Sequence, residues 1–297
     1  MRASLACVLL PVAAQAANII LGNDDGWAEI NVRTLYNSLT AAGESVVLSS
    51  PATDKSGTGS LTATPSALTS ACEFNSCPAG SPAEGFNASD TRLNYVNSYP
   101  ATAMEYGINT LAPTFFGGAP DFAVTGVNVG VNLGIQVPFS GTVGAAVEAM
   151  NLGIPAVVFS GYTGSQTAWN VTTPLYSQVY ADLATNITSV LLASGAPYLP
   201  ANVWLNVNFP AATSTTCSSA SDYKFVLSRI WTAIPLISAA DVETCGSTRL
   251  PLERTVVDTT SDCYVSISVG DGDKLDANAT LQGVVLEKLQ SILTCLP

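Results

Sequence analysis

The stretch Asn18-Ile19-Ile20-Leu21-Gly22-Asn23-Asp24-Asp25-Gly26 decides the fold. Its apolar run, Ile19 to Leu21, reads as a short buried parallel strand. The run stops at Gly22, and two adjacent carboxylates follow at once, Asp24 and Asp25. In open α/β sheets ligands gather at the carboxyl ends of strands, so this pair is placed for chemistry. Two like charges side by side repel each other, and a divalent cation is the usual remedy. Hard oxygen ligands favour magnesium or manganese, with calcium a third choice. The competing reading is an ordinary turn, because Asn, Asp and Gly are all turn residues.

Working outward, Ile30 to Ala42 has helical spacing through Val32, Leu35, Leu39 and Ala42, and Gly43 is a natural stop. Ser45 to Ser49 then reads as a second strand, which completes a right-handed βαβ unit. The loop that follows, Ser50 to Gly57, falls at the same carboxyl edge as Asp24 and Asp25. It makes Ser56 a candidate oxygen ligand and Lys55 a candidate phosphate contact, against the simpler reading of a solvated loop. Gly57 to Ser98 is rich in Ser, Thr, Ala, Pro and Gly, and reads as an irregular insertion lying over the sheet. Ala101 to Leu111 is a predicted helix, and Asp121 to Thr125 another buried strand.

A second chemical stretch comes next, Thr125-Gly126-Val127-Asn128-Val129-Gly130-Val131-Asn132-Leu133-Gly134. Its glycines recur at every fourth residue, not with GxGxxG spacing, so a dinucleotide site is poorly supported. Repeated Gly with Asn suggests backbone that approaches a ligand closely, and Asn128 and Asn132 offer neutral contacts to metal and phosphate. Ser140, before the small-residue run Gly141 to Ala149, reads as a helix N-cap. Free N–H groups and the helix dipole make that end an anion site. Further on, Gly153 to Ser160 closes another βαβ unit, Pro174 to Leu192 is an amphipathic helix, and Val203 to Phe209 alternates as a strand. From Ala211 the pattern shifts to Ser/Thr-rich loops, with Asp262 to Ser268 a strand beside the site and a closing helix from about Thr280 to Leu293.

Composition sets the outer limits. At 297 residues, 47% hydrophobic and only 11% charged, the chain suits a well-buried globular core. The net charge of −12 speaks against nucleic-acid duplexes and anionic membranes as partners. The absence of histidine rules out a Ser-His-Asp triad, a Cys-His dyad, an HExxH zinc site and a histidine nucleophile. Acid–base work then falls to carboxylates, metal-activated water or backbone.

Residues 1–16 have the form of a secretory signal: Arg2, an apolar run Leu5 to Ala14, and a small-residue site Ala14-Gln15-Ala16. Six cysteines follow it, an even number that suits a disulfide framework in a secreted chain. Sequence proximity suggests Cys72–Cys77, Cys217–Cys245 and Cys263–Cys295. Asn87, Asn170, Asn186 and Asn278 stand in Asn-x-Ser/Thr sequons, candidate surface glycan sites.

Four segments, in this order, resemble the SurE survival-protein family of metal-dependent nucleotidases and acid phosphatases. They are Asn23-Asp24-Asp25-Gly26, Lys55-Ser56-Gly57, Gly126 to Gly134 with Asn128 and Asn132, and Ser140-Gly141-Thr142-Val143 leading to Glu148. Together they are highly specific and cover most of the chain to about Pro210. The resemblance implies a Rossmann-like three-layer α/β/α fold with a mixed, mainly parallel sheet, and one divalent ion held by Asp24, Asp25, Ser56 and Asn128. It implies phosphate contacts at Asn132, Ser140, Gly141 and Thr142, and a dimer or tetramer. The chain departs from the family at Tyr99-Pro100-Ala101-Thr102-Ala103, where an aspartate is missing. The signal, sequons and cysteines resemble secreted acid phosphatases more than cytosolic nucleotidases.

The expected organisation is therefore a signal at 1–16, an α/β phosphohydrolase core at 17–210 and a C-terminal extension of the same domain at 211–297. The expected activity is hydrolysis of nucleoside monophosphates or general phosphate esters, with Asp24 or Asp25 as a possible base. The alternative is a secreted binding protein on the same fold that has lost turnover.

Overall fold

A computed structural model describes residues 16–259, 262–272 and 274–297. The expected signal, apart from Ala16, lies outside them. Nine strands form one sheet: β1 Asn18–Gly22, β2 Ser45–Pro51, β3 Glu84–Asn87, β4 Asp90–Val96, β5 Phe122–Val129, β6 Ala156–Gly161, β7 Val203–Phe209, β8 Tyr223–Ser228 and β9 Cys263–Asp271. Their spatial order is β3-β4-β2-β1-β5-β6-β7-β9-β8. From β4 to β7 every pairing is parallel. The sheet becomes mixed only at β3 and β9, which run against β4 and β7. Among the described residues seven α-helices accompany it: α1 Ile30–Ala41, α2 Pro100–Tyr106, α3 Ala112–Phe116, α4 Gly141–Asn151, α5 Leu175–Ala193, α6 Glu253–Val257 and α7 Ala279–Leu289.

The layering follows from the two-residue period of the strands. Ile19, Leu21, Val46, Leu48, Val157 and Phe159 share one core with Leu35 and Leu39 of α1 and Leu183 and Ile187 of α5. The intervening Ile20, Val47, Ala123 and Val158 share the other with Met104 of α2 and Val143, Ala146 and Met150 of α4. Each fully buried aliphatic or aromatic side chain contributes on the order of 2 kcal/mol, so both faces must be covered. The result is a three-layer α/β/α fold of the expected kind.

Chain order sets the position of the site. The chain leaves β1 toward β2 on one side, and β5 later pairs with β1 on the other. The crevice where strand order reverses lies between β1 and β5, the usual ligand position in such sheets. Asp24 and Asp25 follow β1, and Asn128 ends β5.

Some sequence expectations are corrected. Part of the segment Gly57 to Ser98 is regular: β4 pairs in parallel with β2 and extends the sheet, and β3 folds back on it. Its polar residues hid a strand whose Leu93, Tyr95 and Val96 are buried. Strand β7 alternates in polarity but is buried on both faces, including Asn206 and Asn208. Of the disulfides, Cys72–Cys77 forms as expected. The expected pairs Cys217–Cys245 and Cys263–Cys295 do not form; the disulfides are Cys217–Cys263 and Cys245–Cys295 instead. Proximity in sequence misled because β8 and β9 pair in parallel with Tyr223 opposite Cys263, which brings Cys217 to Cys263.

Beyond β8, buried Arg229 bridges Asp241 at 2.7 Å and Asp276 at 3.2 Å, tying that segment to the approach of α7. Among the described residues no helix is long and apolar enough to cross a membrane. Asn170, Asn186 and Asn278 are exposed and Asn87 is half-buried. The side-chain oxygen of Asn278 also caps α7 by accepting from Thr280 and Leu281.

Candidate active site

Asp24 and Asp25 are 2% and 1% exposed. Asn23 closes their turn by donating from its side-chain amide to the Gly26 carbonyl, 2.9 Å away. The next loop is stitched to the same place, since the Lys55 N–H donates to the Asp24 carbonyl at 2.8 Å. Thr142, in the first turn of α4, donates its hydroxyl to Asp24 Oδ1. The same hydroxyl stands 2.9 Å from Asn128 Oδ1. Asp25 accepts from the Val129 N–H at 3.0 Å and from the Gln166 side-chain amide at 2.7 Å.

The β5 residues are aimed by an irregularity. Register against β6 slips between Thr125 and Asn128. Gly126 sits there at φ 116°, where a side-chain carbon would lie 2.1 Å from the Phe159 carbonyl oxygen. Only glycine fits that position. Beyond the slip Asn128 donates to the Gly130 carbonyl at 2.7 Å, which leaves its Oδ1 turned to Thr142.

The start of α4 has the expected form. Ser140 caps it by accepting from the Val143 N–H at 3.2 Å. The N–H groups of Gly141 and Thr142, in the first turn, have no intrahelical partner, and that of Thr142 bonds to the Asp24 carboxylate instead. A side-chain carbon on Gly141 would come within 2.8 Å of Asp24 Cβ, so the helix start lies directly against the carboxylates.

Asn132 is fixed on all sides. Its N–H donates to Asn208 Oδ1 and its side-chain amide to Ser160 Oγ, each at 2.8 Å. Its carbonyl accepts from Asn206 and Asn208. Ser56 is the expected ligand whose hydroxyl is engaged by another carboxylate. It is exposed, and its hydroxyl bonds to Asp54 at 2.6 Å. Among the described residues Lys55 is in ion-pair contact with no carboxylate.

Charge dominates this crevice. Burial raises the pKa of Asp24, and burial, then the charges of Asp24 and Glu29, lift Asp25 well above the usual carboxylate range. Glu29 is pushed up to about 8 by burial, and Glu73 to about 7 by burial and Asp54. Glu29 Oε1 and Glu73 Oε2 are buried without a partner. Among the described residues no cationic side chain pairs with Asp24, Asp25, Glu29 or Glu73. Uncompensated buried carboxylates facing neutral oxygens fit a hard divalent cation. The donors are Asp24, Asp25 and Asn128, two carboxylates and a neutral amide oxygen; among the described residues no group of three or more His, Cys, Asp or Glu is arranged to hold a metal ion by itself.

Sequence reasoning missed several members of the site. Gln166 reaches Asp25 from the segment after β6, and Asn208 and Ser160 hold Asn132. Glu253, fully buried, accepts from Asn206 at 2.6 Å and from the Gly134 N–H at 3.3 Å. Burial lifts its pKa to about 8. The pairs are separated by up to 141 positions, so no local pattern announces them.

The family model of the survival protein SurE matches residues 19–232. This chain belongs to the SurE family. It is 36% identical over 211 residues to an acid phosphatase of Yarrowia lipolytica, covering 68% of this chain and 59% of that protein. It is 28% identical over 194 residues to the 5'-nucleotidase SurE of Lawsonia intracellularis, covering 65% of this chain and 66% of that one. The chain thus spans somewhat under two-thirds of these SurE relatives. The crystal structure of the SurE protein from Aquifex aeolicus superposes with a TM-score of 0.59 at 21% identity, covering 91% of this chain and 98% of that one, and so shares the fold.

Proposed function

We propose that this SurE-family chain is a secreted, divalent-metal-dependent phosphomonoesterase that acts on nucleoside monophosphates, on general phosphate esters, or on both. The carrying observation is the pair Asp24 and Asp25, buried side by side against the N-terminus of α4, with which no cationic side chain among the described residues pairs. Similarity to an acid phosphatase and to a 5'-nucleotidase supports the reaction class. Three disulfides suit an oxidising compartment.

Asp24, Asp25 and Asn128 would hold the ion, magnesium or manganese by donor type. Bound there, it supplies Lewis acidity for the phosphoryl group and for the attacking water. Thr142 fixes Asp24, and Val129 with Gln166 fixes Asp25, so the carboxylates need no reorganisation. The N–H of Gly141 at the start of α4 meets a phosphate oxygen, where charge grows in the transition state, while the Thr142 N–H is held by Asp24. Lys55, in ion-pair contact with no carboxylate among the described residues, adds a positive charge to the loop whose backbone bonds the Asp24 carbonyl. Ser56 serves as a ligand only if it leaves Asp54.

The test is phosphate release from an aryl phosphate and from 5'- and 3'-nucleotides, from pH 4 to 8, with and without EDTA. Release that stops in EDTA and returns with magnesium or manganese supports the proposal. No release under any of these conditions refutes it and leaves the binding-protein reading.

A further inference from the structure

We infer that a cavity of about 440 Å³ at the same carboxyl edge of the sheet as the carboxylates receives the uncharged, ring-bearing part of the phosphate ester. The inference rests on the phosphomonoesterase reading and extends it to substrate choice. The walls are Tyr162 after β6, Pro210 after β7, Val257 and Asp258 around the end of α6, and Cys217, whose disulfide partner Cys263 begins β9. This volume lies in the range of small-ligand pockets.

Two covalent continuities join the cavity to the site. Tyr162 directly follows Gly161, the ladder partner of Val129, whose N–H holds Asp25. Pro210 stands two residues after Asn208, whose side-chain oxygen holds the Asn132 N–H. All these positions lie at the carboxyl edge of the parallel strands. The cavity's nearest wall, Tyr162, is therefore about two strand spacings from β1, roughly 10 Å and within reach of the ring of a phosphate ester bound at the carboxylates. Pro210, Asp262 and Cys217 lie one to three strands farther along the sheet.

The lining dictates which end of the substrate enters. Among the described residues no Lys or Arg lines the cavity. Its two carboxylates, Asp258 and Asp262, already face Arg254 and Lys224 outside it. A phosphate finds no partner there and stays at the start of α4. Tyr162, 53% exposed, offers a ring face, and Pro210, Val257 and the disulfide offer apolar walls. A flat neutral ring fits these surfaces, either a nucleobase with its sugar or a simple aryl group.

The test compares three esters, glycerol phosphate, an aryl phosphate and a 5'-nucleotide, on wild type, Tyr162→Ala and Ala211→Trp. Tyr162 is exposed and Ala211 half-buried, so both variants should unfold at the wild-type temperature. Losing the ring contact, or filling its space, should raise KM for ring-bearing esters about fivefold with kcat and the glycerol phosphate constants unchanged. A rise confined to the nucleotide assigns the cavity to nucleosides; one confined to the aryl ester assigns it to aryl groups. Equal changes for all three esters, or no change for any, would overturn the inference. Adenosine and phenol binding, measured by calorimetry, separates the two readings. Binding to wild type but not to Ala211→Trp supports the cavity even if no ester is hydrolysed.

Discussion

The hydroxyl of Thr142 donates to the carboxylate of Asp24, joining the start of α4 to the end of β1 across 118 positions of sequence. The same oxygen lies 2.9 Å from Asn128 Oδ1. One hydroxyl proton cannot serve both acceptors at once. Three oxygens thus converge with a single proton among them, an arrangement that positive charge stabilises. Thr142→Val should weaken divalent-ion affinity by about 10–100-fold, with kcat/KM falling in step, while Thr142→Ser should keep most of both. Metal titration of activity in the two variants checks this.

Asp24→Asn should act in opposite directions on activity and on stability. It removes a carboxylate that holds the ion, so activity should fall to about one-hundredth or less of wild type. It also removes like charge beside Asp25, whose pKa that charge helps to raise. Each unit of such displacement corresponds to about 1.4 kcal/mol, so the metal-free variant should resist urea better than metal-free wild type. Paired urea titrations in EDTA measure it.

Stability should fall as pH rises across the neutral range. Burial raises Glu253 from 4.5 to about 8. The folded state therefore holds this proton more tightly than the unfolded chain. The resulting stability is fully present below pH 4.5 and is lost as pH rises through 8. Glu29, also at about 8, acts in the same window. Unfolding free energy should drop by several kcal/mol between pH 5 and pH 8, and Glu253→Gln should remove part of that slope. Urea midpoints at three pH values suffice.

Gly144 and Gly283 lie inside helices, where alanine is ordinarily better by about 1 kcal/mol. At Gly283 the nearest atom to an added carbon is 3.7 Å away, so Gly283→Ala should stabilise. At Gly144 an added carbon would lie 2.0 Å from the Gly59 carbonyl oxygen. Gly144→Ala should therefore destabilise, displace the loop carrying Lys55 and Ser56, and lower kcat/KM. Thermal unfolding and turnover of the two variants distinguish the cases.

The core strands and the helices around them were legible because their signal is local. Val32, Leu35 and Leu39 repeat at helical spacing, and Ile19 to Leu21 form one apolar run. Strand β4 was not legible, because Asp90, Thr91, Arg92 and Asn94 dilute its three buried apolar residues. In the candidate site, residues in contiguous motifs could be read directly, including Asp24, Asn128 and Ser140. Gln166, Asn208 and Glu253 could not, because each is defined by a contact that exists only after the sheet has formed. The two longer disulfides escaped for the same reason, each joining cysteines 46 or 50 positions apart through strand pairing and the return of the C-terminus.

The most direct measurement is anomalous diffraction from a crystal soaked in manganese. A single strong peak within about 2–2.5 Å of oxygens from Asp24, Asp25 and Asn128 is the predicted result, absent in Asp24→Asn. A peak elsewhere, or none in a crystal whose protein hydrolyses phosphate esters only with manganese present, would contradict the account.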